Sequence, residues 1–260
     1  LPKTAWPPTC YQKVGWDLRN SESEKGVFPT FFDLLDILPG VIEESHYSKD
    51  TQSDYVGALC TRVKSLTNGI YGSVFCAEDA LSDAELFDCN VVVDLSRVGS
   101  METKSLLMGI LVMKLQEYRM CGSEMNSRLR HVTVLEEAHN LLRKTSAEQS
   151  QEGANLQGKS VEMLANAIAE MRTYGEGFII ADQAPGLLDM SVIRNTNTKI
   201  ILRLPDEEDR KLVGKSAGLK EAQIDELSKL PLGVAAVYQN EWPEAVLCQV
   251  KHYPIPENAV

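Results

Sequence analysis

The sequence has little of what marks secreted, zinc-binding or membrane-spanning chains. Its six cysteines never form a C-x-x-C pair, so their spacing predicts neither a zinc site nor a disulfide framework. No apolar run approaches the roughly 18 residues of a membrane-spanning helix, and the first residues carry no signal-peptide pattern. These absences favour a cytoplasmic protein with no membrane segment. The chain begins at Leu1 rather than Met, which we interpret as the mark of an excised fragment.

An excess of positive charge is also missing. The formal net charge is −11 at pH 7, from 37 acidic and 26 basic residues. This balance argues against a broad basic face that grips phosphate backbones, so any contact with nucleic acid is expected to be local. With 260 residues, 43% of them apolar, the chain can bury one sizeable core, or one core and a small appendage.

The order of the predicted elements indicates an α/β fold. Up to about residue 50 the chain is rich in proline and aromatic residues, with one amphipathic helix predicted over residues 30–38 and closed by Pro39 and Gly40. Later strands alternate with helices, which favours a mainly parallel, doubly wound sheet flanked by helices. We therefore predict a helical linker or accessory region over residues 1–53 and an α/β core over residues 54–260. The predicted strands are 90–95, 132–135, 177–182, 199–204, 233–238 and 245–250, and the predicted core helices are 54–66, 101–120 and 160–174.

The most informative segment runs from His131 to Asn140, where an apolar strand leads directly into Glu136 and Glu137. In open α/β sheets, ligand groups gather beyond the carboxyl ends of parallel strands. A nucleoside triphosphatase needs one carboxylate to hold hydrated Mg²⁺ and another to orient the water that attacks the γ-phosphate. We assign the metal role to Glu136 and the base role to Glu137. The alternative is that both residues only cap the helix that follows, where the helix dipole favours acidic groups.

A literal phosphate-loop motif, G-x-x-x-x-G-K-S, runs from Gly153 to Ser160. A working loop of this type joins a buried strand to a helix, so that backbone N–H groups converge on the phosphates. The polar residues 143–152 predict no such strand. Gly158 to Ser160 are therefore interpreted as a solvated loop and helix cap, with a true phosphate loop over Gly153 to Ser160 as the less favoured alternative. If the protein is a nucleoside triphosphatase, its phosphate loop is expected before Leu1.

Two further predicted strands end in polar groups. Asp182 and Gln183 follow the strand at 177–182, where the Gln183 amide could sense the γ-phosphate or the attacking water, or only bind the adjacent loop. Arg203 lies in an otherwise apolar predicted strand. Because a buried guanidinium is costly without an anionic partner, Arg203 is expected either to be ion-paired or to point at a phosphate as an arginine finger.

Three other charged residues have simpler interpretations. Asp94 and Arg97 follow the predicted strand at 90–95, and a buried ion pair or a cap is favoured over catalysis there. His139 comes two residues after the acidic pair. A lone histidine at such a position is more often a packing or helix-surface residue than a ligand.

Three ordered motifs resemble the HerA/FtsK superfamily of ATPases, and more narrowly the bacterial HerA-like proteins of the DUF87 group. They are LEEAHNL at residues 135–141, AEMRTYGEGFIIADQ at residues 169–183 and NTNTKIILR at residues 195–203. The resemblance covers roughly residues 91–250. It implies a RecA-like P-loop NTPase core that uses ATP and Mg²⁺ and assembles as a homo-oligomeric ring, usually a hexamer. It further implies action on double-stranded DNA, with a nuclease among the expected partners.

The same resemblance implies roles for individual residues. Glu136 and Glu137 fall in the acidic motif of the family and Gln183 falls in its polar sensor motif. Arg203 becomes the first candidate for an arginine that acts on the nucleotide of a neighbouring subunit, and Arg172 is a weaker candidate. Nothing in residues 1–91 resembles the phosphate loop of the family, so the isolated chain is not expected to hydrolyse ATP.

The leading hypothesis is therefore a part of an ATP-driven ring motor that translocates or unwinds DNA. A second hypothesis is a non-catalytic module of the same fold that forms rings or binds partners. A third is a nucleotide-dependent transferase that uses the segment from Gly153 to Ser160 as its phosphate loop.

Overall fold

The computed structural model describes residues 30–77, 81–122, 124–144 and 151–252, with the backbone alone for residues 151–159. The part of the predicted accessory region before residue 30 lies outside these ranges. The chain divides into two compact units, one up to Ser82 and one from Asp83 onward. The boundary predicted after residue 53 falls inside a helix of the first unit, Lys49–Thr67.

The described part of the first unit is helical. It contains helices α1 (Phe31–Glu43), α2 (Lys49–Thr67) and α3 (Gly69–Phe75). The predicted end of the first helix before Pro39 is wrong, because α1 continues through this proline to Glu43. A proline inside a helix removes one backbone hydrogen bond. Ile42, which is 8% exposed, extends the apolar face of the helix beyond that point and its burial offsets the loss.

The second unit alternates helices and strands along most of its length. Short 3₁₀ turns lie at Ala138–Asn140, Arg172–Tyr174, Pro185–Leu187 and Leu227–Lys229. The helices and strands are α4 (Asp83–Phe87), α5 (Met101–Gly122), β1 (His131–Glu136), α6 (Gln151–Met171), β2 (Glu176–Ala181), α7 (Met190–Asn195), β3 (Thr198–Ile201), α8 (Glu207–Ser216), α9 (Glu221–Glu226), β4 (Val234–Gln239) and β5 (Val246–Gln249).

The strands form two sheets. β1 and β2 run parallel in a register that pairs His131 with Glu176 and Glu136 with Ala181. β3, β4 and β5 form an antiparallel sheet in that order. Five of the predicted strands are therefore confirmed, but parallel pairing is confined to β1 and β2 within the described residues.

The strand predicted at residues 90–95 is wrong. The segment has no helical or strand assignment, and Val92 is 93% exposed. Leu95 alone of its apolar residues packs against the buried core. The Asp94 carboxylate then accepts a hydrogen bond from the Ser96 N–H (2.8 Å), which turns the chain. With only one anchored apolar side chain, burial does not hold the segment against a neighbouring strand.

The main core lies on one face of the β1–β2 pair. Because side chains alternate along a strand, Leu135 and its cross-strand partner Ile180 point to the same face, where they join buried residues of α5 and α6. Those helix residues are Met108, Val112, Leu115, Ala165, Ile168 and Met171. On the other face, Val132, Val134 and Ile179 are 41 to 53% exposed. One face of the pair is therefore packed against helices, and the other face is partly exposed.

The phosphate-loop motif from Gly153 to Ser160 is helical, because it lies wholly within α6. Both a phosphate loop and a solvated loop are therefore wrong for this segment. A phosphate loop wraps its backbone N–H groups around an anion, whereas the N–H groups inside a helix are already bonded to carbonyls. The helix begins before the motif and continues through Val161 and Ala165, whose burial against the core anchors it.

Candidate functional site

The parallel pairing of β1 and β2 brings two predicted groups of polar residues to one edge of the sheet. Glu136 is the last residue of β1 and lies opposite Ala181, the last residue of β2. Glu137 follows β1 and Gln183 follows β2. The Gln183 amide Nε2 donates a hydrogen bond to Glu137 Oε1 at 2.8 Å. The structure thus joins two residues that are 46 positions apart and that the sequence singled out separately.

Glu137 has a strained backbone. Its φ and ψ angles are 49° and 50°, in the left-handed region that non-glycine residues rarely adopt. Such a conformation costs on the order of 1–3 kcal/mol and persists only where surrounding contacts determine it. Here Asn140 supplies two of them, because its backbone N–H and its side-chain Nδ2 both donate to the Glu137 carbonyl at 2.9 Å. The Glu137 side chain remains 41% exposed.

Glu136 is placed differently from its neighbour. It shares the outer face of β1 with Val132 and Val134, and its side chain is exposed. Within the described residues no hydrogen bond or ion pair engages its carboxylate. An exposed carboxylate with free oxygens fits a hydrated Mg²⁺, which usually keeps several of its waters and takes one or two carboxylates.

Asp182 and His139 were not assigned to the site from the sequence, yet they lie in its centre. Asp182 Oδ2 accepts hydrogen bonds from the His139 backbone N–H (2.8 Å) and from the His139 ring Nδ1 (3.0 Å). Its Oδ1 accepts from the Ala184 N–H at 2.9 Å. The signal that could have revealed this pair is the placement of both residues just past parallel strands, where they converge at the same edge.

Glu137, His139 and Asp182 are residues of types that bind metal ions, and their potential ligand atoms lie within 4.8 Å of one another. No other group of three His, Cys, Asp or Glu residues in the described part of the chain meets this criterion. Asp182 uses both of its oxygens to accept N–H bonds, and the Nδ1 atom of His139 is one of the donors. These hydrogen bonds therefore connect the turn after β1 to the turn after β2. The Glu136 carboxylate, by contrast, makes no hydrogen bond or ion pair with another described residue.

The two predicted arginines do not join this cluster. Arg203 lies two residues beyond the end of β3, is exposed, and makes no ion pair with another described residue. The expectation that it sits in an apolar strand is wrong, because β3 ends at Ile201. Arg172 opens the 3₁₀ turn before β2, at the opposite end of that strand from Gln183. At about 3.3 Å per residue β2 spans roughly 20 Å, so Arg172 cannot reach Glu137 within one subunit.

A second charged cluster occupies the other end of β1 and β2. Glu176, whose side chain is 0% exposed, accepts hydrogen bonds from Arg119 Nε (2.8 Å) and Thr133 Oγ1 (2.7 Å), and its Oε1 lies 2.8 Å from His131 Nδ1. Arg119 also binds the Asp88 carboxylate at 2.6 Å.

Hydrogen bonds shift the pKa values of Arg119 and Asp88 in this second cluster. Burial opposes the charge of Arg119, but its bonds to Asp88 and Glu176 outweigh that effect and raise its pKa. The bond from Arg119, with a second from Tyr118, lowers the pKa of Asp88. Asp88, Arg119 and Glu176 are thus joined in an ion-pair network at this end of the strand pair.

No helix among the described residues combines the length and the apolar character that a membrane crossing requires.

No family model matches the chain. In sequence it is 29% identical over 123 residues to a probable helicase of Methanocaldococcus jannaschii, covering 47% of this chain and 22% of that protein. It is 34% identical over 110 residues to the DNA double-strand break repair helicase HerA of Sulfolobus acidocaldarius, covering 42% of this chain and 20% of that protein. The chain thus spans about a fifth of the length of these relatives.

The fold has a match among solved structures. VirB4 of Thermoanaerobacter pseudethanolicus superposes with a TM-score of 0.62 at 19% sequence identity, over 95% of this chain and 62% of that one. This match confirms the predicted α/β fold of a P-loop ATPase. The likeness in sequence to these helicases confirms the predicted resemblance to the HerA/FtsK superfamily of ATPases.

Proposed function

We propose that the chain is part of an ATP-driven motor of the HerA type, which hydrolyses ATP in order to translocate or unwind double-stranded DNA. The curated relatives support this proposal because they are named as helicases, and one of them as a helicase of DNA double-strand break repair. Their similarity covers only about a fifth of their length, so the activity of the whole protein is inferred from the site.

The observation that carries the proposal is the hydrogen bond between Gln183 and Glu137 at the shared edge of β1 and β2. A carboxylate that is fixed there and still accessible is suited to accept a proton from an attacking water. The amide beside it is suited to orient the same water or to sense the γ-phosphate. Glu137 is therefore the proposed general base and Gln183 the proposed sensor.

Glu136 is the residue that would hold Mg²⁺, through water, beside this pair. When bound, the ion neutralises charge on the β- and γ-phosphates of ATP. The carboxylate of Glu136 is exposed at the end of β1, whereas that of Glu137 lies within hydrogen-bond distance of Gln183. This difference supports separate roles for the two adjacent carboxylates.

A working form with several subunits is part of the proposal. Arg203 is exposed and free of ion pairs within the described residues, so its guanidinium is available to a nucleotide held by a neighbouring subunit. Arg172 lies at the far end of β2 and could act only across an interface, which makes it the second candidate. We propose a homo-oligomeric ring, a hexamer by analogy with the superfamily, with a nuclease as a candidate partner.

A cytoplasmic location is also proposed. The five cysteines within the described residues, Cys60, Cys76, Cys89, Cys121 and Cys248, are all free thiols. Proteins of reducing compartments keep their thiols in this form.

Hydrolysis requires a phosphate-binding loop in addition to these residues. Among the described residues no strand leads through a glycine-rich loop into a helix, and the segment from Gly153 to Ser160 is helical. We propose that the loop is supplied by residues outside those described. The transferase hypothesis, which needs that segment as a loop, is not retained.

The deciding experiment measures ATP hydrolysis by the assembled protein with and without double-stranded DNA. We expect hydrolysis that DNA stimulates and that Glu137→Gln removes, while Glu226→Gln on the exposed surface of α9 leaves it unchanged. Absence of hydrolysis in the wild-type assembly, with or without DNA, would contradict the proposal.

The second candidate function is a non-catalytic module that forms rings or binds partners, and the lack of a phosphate loop in the described residues favours it. Calorimetric titration of Mg·ATP into the 260-residue chain and into its Lys159→Ala variant bears on this alternative. Because the motif is helical, the two titrations are expected to be the same. Binding that is lost in the variant would show that the segment can refold around phosphate.

A further inference from the structure

We infer that His139 and Asp182 are positioning residues, which hold Glu137 and Gln183 in the geometry that hydrolysis requires. The inference depends on the proposed function, because it gives these two residues a role in that reaction. It concerns a contact between the turn after β1 and the turn after β2. We call this contact the Asp182–His139 clamp.

The clamp is made by one buried carboxylate. The Asp182 side chain is 3% exposed, and that of His139 is 18% exposed. Asp182 Oδ2 receives the backbone N–H and the ring Nδ1 of His139, at 2.8 and 3.0 Å, while Oδ1 receives the Ala184 N–H at 2.9 Å. A single side chain thus fixes a residue two positions after Glu137 and a residue directly after Gln183.

The clamp acts on a segment that would not keep its shape alone. Glu137 is held in the left-handed region, and the 3₁₀ turn that follows it is anchored by Ala138, which is fully buried. A strained residue of this kind relaxes when the contacts around it are lost. Removing the clamp is therefore expected to release the Glu137 carboxylate from its place beside Gln183.

The His139 ring also lies beside the carboxylate that it is proposed to position. Its Nδ1 is 3.5 Å from Glu137 Oε2, while Gln183 donates to Oε1. Because a carboxylate only accepts hydrogen bonds, the hydrogen shared with Asp182 belongs to Nδ1. The Glu137 carboxylate is consequently flanked by the imidazole on one oxygen and by the amide on the other, which restricts its rotamers before substrate arrives.

Two neutral amide variants separate positioning from packing. Asparagine places an N–H donor near the position of Nδ1, whereas glutamine places it near the position of Nε2. We expect His139→Asn to keep kcat for ATP within about threefold of the wild type, and His139→Gln to lower kcat by about 10- to 100-fold with KM nearly unchanged, as for misplaced catalytic groups. Equal kcat values in both variants and the wild type would overturn the inference.

A spectroscopic measurement on the 260-residue chain tests the clamp without any need for hydrolysis. In ¹⁵N-histidine NMR, the signal that His139→Asn removes identifies His139 among the four histidines. We expect it to show a hydrogen on Nδ1 that exchanges slowly with water, and Asp182→Asn to abolish that protection. A ring protonated at Nε2 alone, or one unaffected by Asp182→Asn, would contradict the clamp.

The two readouts distinguish the failure of each idea. If the wild-type assembly hydrolyses no ATP but the NMR signature is present, the proposed function fails and the clamp is only structural. If the assembly hydrolyses ATP and His139→Gln retains full kcat, the proposed function stands and the positioning role is wrong.

Discussion

The two ends of the β1–β2 pair both gather charged groups, but they use them in different ways. At the amino-terminal end, the Glu176 carboxylate is completely buried and is bound by Arg119, His131 and Thr133. At the carboxyl-terminal end, the Glu137 carboxylate is 41% exposed and receives one hydrogen bond, from Gln183. We call these the closed end and the open end of the pair.

The difference shows what separates a structural carboxylate from one that is available for chemistry. Both oxygens of Glu176 are bound by protein donors and its side chain is 0% exposed, so this carboxylate is not accessible to a ligand. Glu137 keeps unused acceptor capacity and is held in a strained backbone conformation, a combination that clusters at functional sites. Charge alone, which both ends share, does not distinguish them.

The largest effect is expected from an arginine outside both ends. Arg203 is exposed and lacks an ion pair with any described residue, whereas Arg119 at the closed end is fully engaged. If Arg203 stabilises the transition state of a neighbouring subunit, Arg203→Ala should slow hydrolysis about 10³- to 10⁵-fold without lowering stability. Steady-state ATPase assays of the assembly measure this, with Arg194→Ala as the matched exposed control.

Mixing variants tests whether that arginine acts across an interface. Subunits carrying Arg203→Ala and subunits carrying Glu137→Gln are each inactive alone in this scheme. Mixed assemblies should regain part of the activity, because some interfaces then contain both native residues. No recovery at any mixing ratio would argue that Arg203 and Glu137 act within the same subunit.

The next effect concerns the open end. Glu137→Gln removes the proposed base but keeps the size of the side chain, so kcat should fall about 10²- to 10⁴-fold while nucleotide binding persists. Urea denaturation should detect a change of no more than about 0.5 kcal/mol, as for other partly exposed positions. Near-normal turnover would remove Glu137 from the role of base.

The same change at the closed end should have the opposite consequence. Glu176→Gln leaves Arg119 with only Asp88 as a charged partner and sets an amide N–H₂ group against other donors. Breaking a buried ion pair in this way costs about 3–5 kcal/mol, and the remaining bond to Asp88 places the expected loss near 3 kcal/mol. Urea denaturation followed by circular dichroism measures it, with Glu226→Gln as the control. An unchanged urea midpoint in Glu176→Gln would show that the buried carboxylate at the closed end does not stabilise the fold.

The sequence was sufficient to predict the open end in outline. The apolar runs before Glu136 and before Gln183 identified β1 and β2, and the parallel pairing then followed from the long helix between them. The link between Asp182 and His139 was not predicted, because it joins residues 43 positions apart and no spacing in the sequence shows which of the polar groups past β1 and β2 face each other. The interpretation of His139 as a packing or helix-surface residue has the same origin.

The errors have a common physical origin, since each pattern was judged without its tertiary contacts. The motif from Gly153 to Ser160 has the letters of a phosphate loop, but it continues into a helix that Val161 and Ala165 anchor in the core. Arg203 follows an apolar run that stops pairing at Ile201, so the guanidinium is not buried. Residues 90–95 have strong strand propensity but anchor only Leu95 in the core. Propensity is outweighed where packing decides.

The smallest effect separates the two ends by their response to acid. The bond from Arg119 lowers the pKa of Asp88 below its ordinary value of 3.8, so the ionised carboxylate stabilises the fold above that pH. The contribution is lost as pH falls through the lowered folded value. Because Asp88 is half exposed, it should amount to no more than about 1 kcal/mol. Wild type and Asp88→Asn should therefore differ in unfolding free energy near pH 5, and the difference should shrink as pH falls through the lowered folded pKa of Asp88. A difference that does not change with pH would show that the ionised Asp88 carboxylate adds nothing to the closed end.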